Sequence, residues 1–142
     1  MSKQNPFVGS WTYRSFINDP TQVGNDAKKA LDLIFAEGQM DIAESAFGEF
    51  RGVVNFGTGY DLDLRGWAGY GSPFAVRFQG VGRKGTETEG WVYDYIGYLV
   101  PDWPNGISQT AAIVGSVVRT VPHDNGEAKA GFVASFVTVS RD

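Results

Sequence analysis

The residues able to do acid–base chemistry are few, and they gather in the second half of the chain. His123 is the sole histidine among 142 residues. It follows Pro122 at the end of an apolar run, a rim position from which an imidazole can act as a general base with Asp124 or Asp94. Asp94 lies in Trp91–Val100, WVYDYIGYLV, where alternation creates two faces. One face carries Trp91, Tyr93, Tyr95 and Leu99; the other carries Val92, Asp94, Ile96 and Tyr98. If the first face points inward, a row of rings lines the interior and suits a flat or apolar ligand. If the second does, Asp94 is a buried carboxylate whose pKa desolvation would raise toward catalytic usefulness. A plainer role for Asp94 is exposure, or a tie to Arg119. Asp94, Tyr95 and His123 are thus the candidate catalytic groups.

Other chemistries are excluded by what the chain lacks. It has no cysteine, hence no disulfide, thiolate metal site or cysteine nucleophile. One histidine rules out a multi-histidine metal centre, and Asp61 and Asp63 share an outward face without the loop geometry of a calcium site. No phosphate-binding glycine loop, nucleophile elbow or dinucleotide fingerprint is present, so no metal and no cofactor is expected. Net charge is −4, which disfavours nucleic-acid binding.

The elements that must position these groups read as strands. Glycine (19 residues) and aromatics (14%) are abundant, the habit of small β-barrels. Residues 8–17 form a first strand with Gly9, Trp11, Tyr13 and Ser15 on one face. Residues 19–28 form a polar loop, the best candidate for a lid. Residues 29–37 are ambiguous between helix and strand; a strand is preferred, turning at Gly38-Gln39 to pair with Met40–Ser45. Ala46–Phe56, Tyr60–Tyr70 and Phe74–Gly82 follow, the last two with clean inward apolar and outward charged alternation. Trp91–Val100 and Ile107–Val121 flank a turn at Pro101–Gly106, and Ala128–Arg141 closes the chain. The expected fold is all-β: one domain, residues 1–142, a single antiparallel up-and-down β-barrel of about eight strands.

Gly9-Ser10-Trp11 resembles the Gly-x-Trp that opens the first strand of calycin-type barrels, the lipocalins and avidins. That resemblance implies a cup-shaped barrel whose tryptophan closes one end under an arginine from a late strand, here Arg119 or Arg141. The biotin-binding polar set of avidins is not in matching positions; its early polar loop is matched only in part, by Asn18 and Thr21. The avidin-type likeness extends to Trp103, which either folds over the barrel mouth or enters a partner subunit.

The leading functional reading is a small-molecule binding protein with Trp11, Tyr13, Trp91, Tyr93, Tyr95, Trp103 and Gln109 around an apolar or aromatic ligand. The alternatives are a cofactor-free isomerase, cyclase or lyase using the barrel as a reaction cavity, and a structural oligomerisation module. Thr110–Val118 and Gly131–Val139 are apolar or small on both faces, so a homo-oligomeric contact is expected to cover their outer wall. The sequence begins without an apolar leader and has no run long enough for a membrane helix, so a cytoplasmic protein is expected. A secreted form lacking its signal peptide would read the same.

Overall fold

The computed structural model describes residues 5–19, 24–46 and 48–141. Alternation of apolar and polar residues is what closes the molecule. In β4 (Asp61–Gly69), Leu62, Leu64 and Gly66 are buried, while Asp63, Arg65 and Trp67 face solvent. In β5 (Ala75–Gly82), Val76, Phe78 and Gly80 are buried between exposed Ala75, Arg77 and Gln79. A strand of this kind needs cover on one side only. Eight such strands, β1 (Gly9–Ile17), β2 (Ile34–Ala43), β3 (Glu49–Asn55), β4, β5, β6 (Val92–Leu99), β7 (Ala112–Val121) and β8 (Val133–Ser140), pair in sequence order. β1 then pairs antiparallel with β8, which closes the barrel and leaves no free edge.

One helical turn interrupts the strands. α1 (Ala27–Leu31) forms because the Asp26 carboxylate accepts from the Lys28 and Lys29 amides at 3.0 and 3.2 Å. The strand expected over residues 29–37 therefore starts only at Ile34. It also runs straight through Gly38-Gln39, where a turn was expected. Gly38 faces inward in this continuous strand, at a point where a Cβ would overlap the Asn55 carbonyl oxygen. The turn expected at Pro101–Gly106 is longer too: 100–111 is a connection without strand pairing, and Ile107 is exposed. The final strand begins at Val133, not Ala128. The expected lid lies partly outside the described residues, and its end, Ala27-Lys28, belongs to α1. Among the described residues, no helix is long and apolar enough to cross a membrane.

Each of β2 to β7 carries a glycine on its inward face: Gly38, Gly52, Gly66, Gly80, Gly97 and Gly115. Large rings occupy the space they leave. Gly66 pairs with Phe78, and Gly115 pairs with Phe136. At Gly66 a Cβ would overlap the Arg77 carbonyl and the Phe78 backbone; at Gly115 it would overlap the Ile96 carbonyl. Tight curvature thus depends on a missing side chain, and the neighbouring ring restores the packing.

Those rings divide the interior. Phe50 stacks on Phe78 at 4.3 Å, and Phe78 stacks on Tyr95 at 4.5 Å. Tyr13 stacks on Phe136 at 5.8 Å alongside them. On one side of this layer Phe7 and Trp11 fill the barrel, and the Trp11 indole donates to the Phe7 carbonyl at 2.9 Å. On the other side the barrel is hollow.

Gly66→Ala should lower unfolding stability by about 1–3 kcal/mol, because the added methyl overpacks the β4–β5 contact. Gly69→Ala is the control, since open space surrounds that position; it should stay within about 0.5 kcal/mol of the parent. Urea unfolding of the two variants checks this, and equal midpoints would contradict it.

Candidate functional site

The hollow end is a cavity of about 450 Å³. Tyr93 and Tyr95 of β6 line it together with Trp91 just before the strand, because the face carrying Trp91, Tyr93, Tyr95 and Leu99 is the one that turns inward. Tyr93 and Tyr95 are buried, as alternation requires once that face turns in. β1 adds Tyr13 and Ser15, and Phe35 and Phe56 close the sides.

A bulge sets the polar chemistry. Val92 pairs with Val121, yet Tyr93 pairs with Arg119, so Thr120 is an extra residue in β7. The bulge brings Arg119 beside Tyr93 at the cavity mouth. The Arg119 Nε–H donates to the Tyr93 hydroxyl at 2.9 Å, and Nη1 donates to the Lys129 carbonyl at 3.2 Å. The guanidinium also lies over the Phe35, Tyr93 and Phe132 rings, 5.0–5.7 Å from their centroids. It is held in place without a carboxylate partner among the described residues.

His123 reaches the same place by a different route. Asp124, Asn125 and Gly126 all have positive φ, and His123 and Ala128 exchange backbone hydrogen bonds at 3.0 and 3.1 Å. This tight hairpin folds the imidazole back over the mouth. The ring stacks on Trp91 at 4.2 Å, and its side chain is only 7% exposed. His123 Nε2 lies 2.8 Å from the Tyr93 hydroxyl. Arginine can only donate, so the Tyr93 oxygen accepts from Arg119 and its own proton is available to Nε2. The other ring nitrogen, Nδ1, is 3.2 Å from Asp124 Oδ1 but makes no hydrogen bond.

The lower wall is lined with hydroxyls kept neutral. Burial pushes the Tyr13 phenol up to about 12, against opposing contacts with Ser15 and Tyr95. Burial, reinforced by Tyr13, raises Tyr95 well above the ordinary range. Tyr93 is also raised by burial, with Arg119 pulling the other way. Ser15 is fully buried; its hydroxyl approaches Tyr13 but makes no hydrogen bond of proper geometry.

Four of the expected ligand residues meet here: Tyr13, Trp91, Tyr93 and Tyr95. The other three do not. Trp11 sits at the filled end, under neither arginine: Arg119 is at the mouth, and the Arg141 side chain bonds Gln39. Trp103 is 76% exposed on the 100–111 connection, so it forms no lid. The Gln109 side chain is spent bridging the Trp103 backbone at 2.7 and 2.8 Å. Asp94 is corrected as well. It lies on the outer wall, accepting from Gln79 at 3.0 Å and from Thr120, with no part in the cavity and no tie to Arg119. Arg119 and Ser15 were missed as cavity residues, although both share the inward alternation of their strands. Among the described residues, no group of three or more carboxylate or imidazole side chains is placed to hold a metal.

Comparison of the chain with protein-family models, with curated proteins and with solved structures finds no match.

The phenol shifts have a consequence at high pH. Tyr13 ionises near 10 when unfolded and near 12 when folded. The native state therefore holds more protons across that window, and stability falls as pH rises through it, by about 1.4 kcal/mol per pH unit for this group. Urea unfolding between about pH 9 and pH 12 should show the decline, and Tyr13→Phe should make it shallower. A curve of unchanged slope in the variant would refute the assignment.

Proposed function

We propose that this protein binds a small apolar or aromatic molecule in the open half of its barrel. The observation that carries the reading is the cavity itself: about 450 Å³, walled largely by Phe35, Phe56, Trp91 and Tyr95, with its charged groups at the mouth and a few neutral hydroxyls on the lower wall. Small-molecule sites have this size and this division between apolar walls and a few placed polar groups. A barrel evolved only for stability gains nothing from a void in its interior, because unfilled space forfeits packing.

Trp91 is the tryptophan that borders the cavity; Trp11 is buried at the filled end, and Trp67 and Trp103 are exposed on the outside. Titration with a panel of flat aromatic and apolar compounds should give a saturable fluorescence change that Trp91→Phe removes. Absence of saturable binding across the panel, checked by calorimetry, would refute the reading.

The His123–Tyr93 pair supports a second reading, a cofactor-free isomerase, cyclase or lyase that moves protons through these groups. Mass spectrometry of a bound compound after prolonged incubation separates the two: a binder returns it unchanged.

The outer wall supports self-association, which is compatible with either. Tyr98, Val114 and Val137 lie side by side across β6, β7 and β8, with Ile96, Val133 and Val139 exposed around them. Arg77 and Asp94 border this patch with opposite charges, which a twofold pairing of two copies can match. Sedimentation should show a dimer or larger species that Val114→Glu dissociates; a parent protein that stays monomeric at micromolar concentration would remove this reading.

A further inference from the structure

We infer that the ligand of this cavity carries a carboxylate, and that Arg119, positioned by Tyr93, is its anchor. The inference rests on the binding reading above and adds the chemistry of the ligand's polar end. Arg119 is the cation of the cavity lining. Its Nε–H and one Nη1 hydrogen bond are committed, and they fix the guanidinium plane between the Tyr93 hydroxyl and the Lys129 carbonyl. The remaining donors have no carboxylate among the described residues. A planar guanidinium pre-set by rings and a phenol, with its charge uncompensated at the edge of an apolar space, is built for a planar anion.

One polar atom at the mouth points the same way. His123 Nδ1 is buried without a hydrogen-bond partner. A group of this kind costs free energy unless something bonds it, and it lines the same cavity as Arg119.

The acids near the mouth do not forbid it. Glu37 is exposed and paired with Arg14 at 2.7 Å. Asp124 is exposed and set against His123. Tyr13, Tyr93 and Tyr95 have their pKa values raised and stay uncharged at neutral pH. Arg119 is thus the charge that an entering acid meets unscreened by a bound partner.

The test compares naphthoate with naphthalenemethanol, which share a ring system and differ in the charged head. At neutral pH and low salt, the wild-type protein should bind naphthoate about tenfold more tightly or better. Arg119→Gln should bring the ratio close to one, and Tyr93→Phe, which frees the guanidinium to rotate, should reduce it by about threefold. Should Arg119→Gln fail to fold, the wild-type ratio and its decline with added salt read the same interaction. Equal binding of the two compounds by the wild type, or a ratio unchanged in a folded Arg119→Gln, would overturn the anchor and leave the cavity reading standing. Failure of both compounds to bind the wild type would overturn both.

Discussion

The stack of Phe50, Phe78 and Tyr95, braced by Tyr13 and Phe136, is the interaction on which the rest of this barrel depends. Aromatic rings bury large areas and prefer offset or edge-on contact over a loose fit. Here they meet at the waist of the barrel and act as a partition. Below the partition Phe7 and Trp11 complete a buried core, with Phe7 against the Phe50 ring at 5.9 Å. Above it lies the cavity, with Phe35, Trp91 and Tyr93 on its walls. One layer of rings therefore accounts for both the stability of the closed end and the existence of a cavity at the other.

The inward glycines and the rings are two halves of the same solution. An eight-stranded barrel is just wide enough for side chains to fill. Strands that curve this tightly approach one another until a Cβ no longer fits, as at Gly66 and Gly115. At Gly66, Gly80 and Gly97 the missing side chain leaves room for Phe78, Tyr95 and Phe136, rings of the same layer. The waist admits only neutral hydroxyls, while charge sits at the mouth, where Tyr93 accepts from Arg119 and shares a hydrogen bond with His123. The same phenol thus ties β6, β7 and the hairpin after β7 into one rigid edge.

Much of the fold was legible in the residues themselves. Alternation in YDLDLRGWAGY and FAVRFQGVG determined which side faces the core, because a strand's side chains have a period of two and one face must be dry. In Trp91–Val100 alternation grouped Trp91, Tyr93 and Tyr95 on one face but left open which face turns inward. Local chemistry with a short range was harder to read. Asp26 starts a helical turn inside a segment that alternates like a strand, and Gly38-Gln39 has the composition of a turn while serving as mid-strand curvature. Trp103 and Gln109 have the residue types of a binding site, yet they satisfy each other on a loop.

The sequence by itself determined the faces of β4 and β5 and the antiparallel order, since these follow from periodicity and from the short connections between neighbours; which face of β6 turns inward it left open. The tertiary structure decided which end is filled and which is open, because that depends on rings from β1, β3, β5, β6 and β8 meeting at one level. It also decided the polar cluster. Tyr93 and His123 are 30 residues apart, and only the bulge at Thr120 and the left-handed turn after His123 bring the phenol, the guanidinium and the imidazole together. Asp94, one residue from Tyr93, is sent to the opposite side of the wall by the same period of two that places its neighbours inside.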